Sequence, residues 1–379
     1  MTATSARGPL HLAAAVDQPV VCAAAVYTEQ VRLAEHGRLD FVTLGDGSAR
    51  PAPDALTVLA GVAPRTRRIG LVPTVPTTYP EPFHIREAVA TLDRVSRGRA
   101  GWRLGVPAAA EEARLLGRPG VDAPWREAGE AAAGAAGLWD SREYDAEARD
   151  AVPGHRDPGA SRHHADPAGS DFPEVGPSSV PCPPHGPPVH VVDATDRDAR
   201  QRAARLADVA LVHATGGSQA AALREELRSA AARCGRDPNT LRVLASLVVD
   251  LGGEPVVEPG RGPLPPGRER ELGRRTGGGD GHGARRPVYR GGPVDLAELI
   301  AAWHTEGAVD GFHLVPAEPR RDLERLVNGT VVLLQHRGLF RTFYPGGTLR
   351  EHLCLDRTAY RDRMPRAHPG PTAPARKDR

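Results

Sequence analysis

The sequence predicts a single (β/α)8 barrel, an α/β fold of the TIM-barrel class, and two observations lead to that prediction. Short apolar runs alternate with amphipathic helical patterns from one end of the chain to the other. The runs number eight and are apolar throughout, as parallel strands covered on both faces are. Strands and helices that alternate around one buried parallel sheet are typical of a closed barrel. The predicted barrel spans residues 1–364.

The eight predicted strands follow one another in the order that a barrel requires. They are LHLAAAV (10–16), DFVTLGD (40–46), RIGLVPTV (68–75), RAGWRLGV (99–106), PPVHVVDA (187–194), ADVALVHA (207–214), LRVLASLVVD (241–250) and VDGFHLVP (309–316). Helical patterns follow the first three strands over Tyr27–Gly37, Asp54–Ala63 and Pro80–Val95. Helices rich in Ala, Leu and Arg accompany the later strands, so each strand has a helix to cover it.

Three segments depart from this repeat. Residues 140–186 are rich in Pro, Gly, His and Asp and predict a long irregular insertion. Residues 252–293 are low in apolar residues and predict a mobile loop, either a lid over the active site or a solvated loop without a role. Its Arg-rich run, 261–290, is interpreted as solvated, with contact to an anionic substrate or a carrier protein as the alternative. Residues 365–379 predict a disordered tail.

Composition excludes several classes of protein. A net charge of +2 without a dense basic patch argues against a nucleic-acid partner. No segment approaches the roughly 18 apolar residues of a membrane span. The four cysteines are far apart and form no CxxC motif, which argues against a zinc site and a disulfide scaffold. Because the chain also begins without a signal-peptide pattern, we expect a cytoplasmic protein.

Polar side chains stand at several predicted strand ends, where the active site of a barrel lies. They are Asp46, Thr74, Arg103, Asp193, His213 and His313. Imidazoles titrate near neutral pH and act as general acids or bases beside a carboxylate, so Asp193, His213 and His313 are catalytic candidates. His84 is a fourth candidate. The wide spacing of these residues is weak evidence for a metal, and we predict no metal site.

Each of these residues also has a structural interpretation. Asp46 suits a hydrogen bond within the Gly47–Ser48 turn, and Thr74 suits β-branched packing in a strand. His84 either lines the pocket or caps a helix. His11 lies inside the first strand and is expected to be a buried histidine with a hydrogen-bond partner.

Long stretches of the chain, in the same order, resemble one family of enzymes. They are LDFVTLGDG (39–47), RTRRIGLVPTVPTTYPEPFHIREAVATLDRVSRGRAGW (65–102), GLWDSREYDA (137–146), DFPEVGPSSVPCPPHGPPV (171–189), GAVDGFHLVP (307–316) and LLQHRGLFRTFYPGGTLREHL (333–353). These stretches resemble the luciferase-like flavin-dependent monooxygenases. The similarity is greatest to the group of nitrilotriacetate monooxygenase, pristinamycin synthase and dibenzothiophene-sulfone monooxygenase.

The resemblance implies a TIM barrel that forms a homodimer and acts on a small organic substrate, with a role in secondary metabolism. It implies reduced FMN as cofactor, supplied by a separate flavin reductase, with the protein binding and orienting the flavin. Carried over to this sequence, it places Asp46, Thr74 and the strand of Trp102 and Arg103 around the isoalloxazine ring. Trp125, Ala194 and Thr195 fall where the family contacts the flavin phosphate.

This chain departs from the family pattern at those positions. Trp102 is followed by Arg103 where the family continues with Asn, Val, Val, Thr and Ser, and Trp125 replaces a phosphate-binding Tyr. After the fifth strand the family has Ala-Gly-Ala-Ser, whereas this chain has Asp193, Ala194, Thr195 and Asp196. A carboxylate repels a phosphate by about 1 kcal/mol per charge pair at 4 Å in water. Asp196 also suits the N-cap of the next helix, where it would occupy N–H groups that a phosphate uses.

Three functions follow, and the sequence leaves them open. The first is a luciferase-like monooxygenase that uses reduced FMN from a partner reductase. The second is a flavin-independent member that performs acid–base or cyclisation chemistry in the same pocket, with Asp193, His213 and His313 as working groups. The third is a non-catalytic partner subunit. The combination of a changed phosphate turn with new His and Asp residues favours an enzyme over the subunit.

Overall fold

In the computed structural model, eight parallel strands close into a barrel, as the sequence predicts. The structure describes residues 8–19, 23–45, 53–76, 82–105, 185–252, 273–274 and 286–355. The strands are β1 (His11–Ala15), β2 (Phe41–Leu44), β3 (Gly70–Pro76), β4 (Gly101–Gly105), β5 (Val189–Asp193), β6 (Val209–Val212), β7 (Arg242–Asp250), β8 (Gly273–Arg274), β9 (Pro287–Arg290) and β10 (Gly311–Pro316). The eight predicted strands are all present, and their ends agree to within two residues.

The barrel closes through β10, which lies between β7 and β1. Strands β1 to β7 pair with their neighbours in chain order, and β10 pairs in parallel with both β7 and β1. At Gly311, in the first position of β10, a Cβ atom would overlap with the backbone carbonyl of His11. Only glycine therefore allows this close approach between β10 and β1.

Helices cover the outside of the barrel. They are α1 (Ala24–His36), α2 (Ala55–Val62), α3 (Pro82–Ser96), α4 (Arg197–Leu206), α5 (Gly217–Arg233), α6 (Pro293–Glu306), α7 (Pro319–Arg325), α8 (Val332–His336) and α9 (Leu349–His352). A π-helical segment, Leu326–Val331, joins α7 to α8. The carboxylates of Asp54, Asp196 and Glu318 cap α2, α4 and α7 by accepting a backbone N–H of the first turn.

Side chains alternate between the inside of the barrel and the helical layer. An apolar cluster fills the barrel at the amino ends of its strands. Leu349 of α9, and Leu353 and Leu355 after it, are part of this cluster. The cluster consists of Ala13, Phe41, Val72, Val189, Val191, Val209, Leu211, Leu244, Leu349, Leu353 and Leu355. The polar side chains described below lie at the other end, at the carboxyl ends of the strands.

Strand β7 is longer than its neighbours, and its last residues pair with β9 as well as with β10. This additional pairing corrects the prediction for 252–293, because the end of that range is regular: β9 covers Pro287–Arg290 and α6 begins at Pro293. The tail, and the insertion as far as residue 184, lie outside the described residues, so these predictions stay untested. No helix in the described part of the chain has the length and apolar character needed to cross a membrane.

Candidate active site at the carboxyl ends of the strands

Charged side chains from distant parts of the chain lie near one another at the carboxyl ends of the barrel strands. Asp193 is the last residue of β5, and His213 follows β6 directly. Arg286 immediately precedes β9, and Arg103 lies in β4. We call Arg103, Asp193, His213 and Arg286 the polar cluster.

Asp193 is the centre of the polar cluster. One of its carboxylate oxygens, Oδ1, lies 3.4 Å from Nε2 of His213, and the other, Oδ2, accepts a hydrogen bond of 3.3 Å from Nη2 of Arg286. Asp193 is 9% exposed, so these charges interact in a medium much less polar than water. A carboxylate beside an imidazole fixes the orientation of the ring and stabilises its protonated form. The pair is therefore suited to proton transfer.

Thr74 and Arg103 form a second contact in the same layer. The two residues are paired across β3 and β4, and the Nε of Arg103 donates a hydrogen bond of 3.0 Å to Oγ1 of Thr74. Both side chains are buried. The structure thus places Thr74 and Arg103 inside the barrel, the side on which the sequence predicts the site.

His313 lies near the polar cluster and connects β10 to side chains of β2 and β7. Its Nε2 is 2.8 Å from Oγ1 of Thr43 and its Nδ1 is 3.0 Å from Oγ of Ser246. Burial holds the pKa of His313 well below its usual value, and the positive charges of Arg286 and Arg103 lower it further. The imidazole is therefore neutral at physiological pH, donating a hydrogen bond from one nitrogen and accepting one at the other.

This environment gives His313 a structural role, and its role as an acid or base stays a prediction. The side chain is fully enclosed, and both ring nitrogens are already bonded to hydroxyl groups. His313 is a buried residue whose hydrogen bonds connect β10 to β2 and β7. Its partners, Thr43 and Ser246, are the hydroxyl residues inside the largely apolar β2 and β7, a signal that sequence reasoning missed.

Trp102 faces away from the site. It is 1% exposed and packs with Val75, Ile85 and Val89 between the strands and α3. Its ring stacks on His190 with a centroid distance of 4.5 Å. Since neighbouring residues of a strand point to opposite faces, the inward position of Arg103 directs Trp102 outward. This placement does not support the prediction that Trp102 contacts a cofactor in the barrel.

In the turn between β5 and α4, several hydrogen-bonding groups have partners within the protein. The side chain of Asp196 accepts the N–H of Ala199 at 2.8 Å, which confirms the predicted helix cap. The N–H of Ala194 donates to the carbonyl of Leu211 at 2.8 Å and so belongs to the sheet. Thr195 is partly buried, and its carbonyl accepts from Arg200. Two N–H groups that a phosphate could use at this turn, those of Ala194 and Ala199, are therefore already bonded within the protein.

The remaining candidates are placed as follows. His84 is exposed in the first turn of α3. Asp46 and Trp125 lie outside the described residues, so their roles stay predictions. Arg286 is the residue that sequence reasoning did not single out; its only signal was membership of the Arg-rich run 261–290. The described residues contain no group of three His, Cys, Asp or Glu side chains placed to bind a metal. His11 is buried and bonded to Asp40, as predicted.

A closed parallel barrel with ionisable side chains at the carboxyl ends of its strands is the arrangement found in TIM-barrel enzymes. The sequence profile of the luciferase-like monooxygenases matches residues 8–252. The chain is 32% identical to nitrilotriacetate monooxygenase component A of Aminobacter aminovorans, over 87% of this chain and 90% of that protein. It is 29% identical to N-acetyl-S-(2-succino)cysteine monooxygenase of Bacillus subtilis, over 88% and 90% of the two chains.

Solved structures show the same fold. The structure of EDTA monooxygenase from Chelativorans sp. BNC1 matches with a TM-score of 0.77 at 22% identity, covering 92% of this chain and 99% of that one. This chain belongs to the luciferase-like monooxygenase family, which confirms the resemblance seen in its sequence. It is accordingly an enzyme of the oxidoreductase class.

Proposed function

We propose that this chain is the oxygenating component of a two-component monooxygenase. It oxidises a small organic substrate of secondary metabolism with reduced FMN that a separate flavin reductase supplies. The observation that carries the proposal is the polar cluster at the carboxyl ends of the strands in a barrel of this family. Support for a separate reductase comes from the similarity to a protein named as component A of its enzyme.

The residues of the polar cluster have separable roles in this proposal. Asp193 holds His213 in place, and His213 takes a proton from the substrate or returns one to it. Arg286 and Arg103 stabilise negative charge, either on the substrate or as it develops during the reaction. The bound flavin supplies the chemistry of oxygen activation.

A second candidate is favoured by a specific observation. Asp193 and His213 form an acid–base pair inside the barrel, beside a turn whose N–H groups are already used. This arrangement supports a flavin-independent member of the family that performs acid–base or cyclisation chemistry in the same pocket. The two candidates use the same side chains and differ in whether a flavin binds.

Flavin binding therefore tests the proposal. The purified protein is titrated with reduced FMN and with reduced riboflavin under anaerobic conditions, and binding is followed by calorimetry. Binding of either flavin in the micromolar range, about −8 kcal/mol, supports the monooxygenase. Failure to bind both flavins refutes it and leaves the acid–base enzyme. The variant His213→Asn serves as a control, since we expect it to lose turnover while keeping its flavin affinity.

We also propose a homodimer that forms through α2 and α3. Helix α2 contains no charged residue although its Thr57 and Gly61 are exposed, and Val95 of the adjacent α3 is 49% exposed. An exposed helix without charges is typical of an interface. A side chain at Gly61 would meet open space, so Gly61→Arg is expected to fold and to sediment as a monomer. Gly8→Arg, also in open space, is the matched control and should remain dimeric.

A further inference from the structure

We infer that the phosphate group of a flavin adds no affinity at the turn between β5 and α4, so this chain binds FMN and riboflavin equally well. The inference rests on the proposed function in one respect, namely that a reduced flavin is the cofactor. In this chain the carboxylates of the turn have partners within the protein: Asp193 belongs to the polar cluster, and Asp196 caps α4.

The first argument concerns hydrogen-bond donors. A helix that follows a parallel strand binds phosphate with the free N–H groups of its first turn. In α4 the N–H of Ala199 donates to Asp196, and just before the helix the N–H of Ala194 donates to Leu211 across β5 and β6. A phosphate would have to displace a carboxylate and a sheet hydrogen bond to reach both groups.

The second argument concerns charge. Asp193, Asp196 and Asp198 stand within six positions, and Asp198 adds a second acidic residue to the start of α4. Asp196 and Asp198 complement the positive end of the helix dipole, which weakens the attraction that a phosphate would otherwise feel. Arg200 could offset them, but its Nε contacts Glu226 at 3.0 Å and its Nη1 donates to the carbonyl of Thr195. The guanidinium is thus already engaged within the protein.

The neighbouring helix offers no replacement site. The N-cap of α5, Gly216, has no side-chain cap, but the amide oxygen of Gln219 accepts both the N–H and the hydroxyl of Thr215 just before it. The carboxylate of Glu306 also lies 3.5 Å from the point where a Cβ of residue 217 would stand. A phosphate shifted by one strand would therefore meet a second acidic side chain.

The experiment compares two ligands and two variants of the full-length protein. Reduced FMN and reduced riboflavin are titrated anaerobically, and the measured quantity is the ratio of their dissociation constants. Asp196→Gly removes the carboxylate and frees the N–H of Ala199, and glycine is itself an adequate N-cap. Asp54→Gly removes the corresponding cap of α2, three strands away around the barrel, and is the matched control.

We expect a ratio close to one for the wild type and for Asp54→Gly. For Asp196→Gly we expect FMN to bind about tenfold more tightly than riboflavin, the effect of about 1.4 kcal/mol. Binding of FMN to Asp196→Gly alone, with no flavin bound by the wild type, would show that this carboxylate excludes the phosphate, but it would overturn equal binding by the natural chain and refute the proposed function.

Any of the following results would overturn the inference. A wild type that prefers FMN by tenfold or more shows that the phosphate is held. An unchanged ratio in Asp196→Gly shows that this carboxylate does not exclude it. If the wild type and Asp196→Gly both fail to bind either flavin, the inference and the proposed function fail together. A tenfold preference of the wild type for FMN overturns the inference while supporting the proposed function.

Discussion

Asp93 makes the stability of the barrel depend on pH near neutrality. It lies near the end of α3, is 3% exposed, and accepts the N–H of Ala100 at 3.2 Å. Burial raises the pKa of this carboxyl group to about 7. The hydrogen bond from Ala100 and the charges of Arg350 and Arg99 oppose the rise without cancelling it. Folded protein therefore holds a proton on Asp93 where the unfolded chain does not.

The sign and size of the effect follow from proton linkage. In the unfolded chain the pKa of Asp93 is the ordinary 3.8, and in the folded protein it is about 7. Between these values the folded state binds more protons, so the free energy of unfolding decreases as pH rises. Each unit of pKa difference corresponds to about 1.4 kcal/mol, which gives a total of roughly 4 kcal/mol. The contribution is complete below pH 3.8 and is lost as pH rises to about 7.

Asp93→Asn tests this reasoning, because asparagine can still accept the N–H of Ala100 but does not titrate. The free energy of unfolding is measured in urea at several pH values from 4.5 to 8 for the wild type and the variant. We expect the wild type to lose stability relative to Asp93→Asn by about 3 kcal/mol across this range. Glu225→Gln, which removes an exposed carboxylate, should show no such trend. A constant difference between the wild type and Asp93→Asn would refute the raised pKa.

Three further substitutions test the packing that supports the site. Asp40→Asn should cost about 3–5 kcal/mol in urea unfolding, because it removes a buried carboxylate that is paired with both His11 and the partly buried Arg341; a loss below about 1 kcal/mol would contradict this. His313→Leu should cost about 1–3 kcal/mol, since two buried hydroxyls lose their partner. Because burial lowers the pKa of His313, the wild type should also lose stability as pH falls below 6.5, and His313→Leu should not. A variant that keeps its stability but loses turnover would instead indicate an acid–base role for His313. Gly311→Ala should lower the free energy of unfolding by about 3 kcal/mol or more, because its Cβ would overlap with the backbone of His11. We expect a lower yield of folded protein, and a normal yield would show that β10 and β1 can separate.

Most of the fold could be predicted from the sequence because its signals are local. Each strand is a short apolar run, and each early helix shows the periodic apolar residues of an amphipathic helix. Both patterns can be recognised within about 10 to 15 residues. The cap at Asp196 is equally local, since the side chain bonds an N–H three positions away. The end of the loop 252–293 was missed, because β9 forms only where the long β7 offers its backbone for pairing.

The candidate site shows what local patterns leave open. The sequence places Asp193 and His213 at the ends of adjacent strands, so their contact follows from the order of the strands. Arg286 lies 93 positions from Asp193, and only the folded chain brings them together. Alternation alone says that Trp102 and Arg103 face opposite sides, but which side is the interior depends on how the barrel closes.

The sequence by itself therefore determined the barrel, the order of its strands, the family and the acidic turn after β5. The tertiary structure decided which polar residues work together: it enclosed His313, directed Trp102 outward and added Arg286 to Asp193. The physical reason is the range of the interactions. Periodicity and helix capping act between residues a few positions apart, whereas burial and ion pairing depend on distances in space that the closure of the barrel sets.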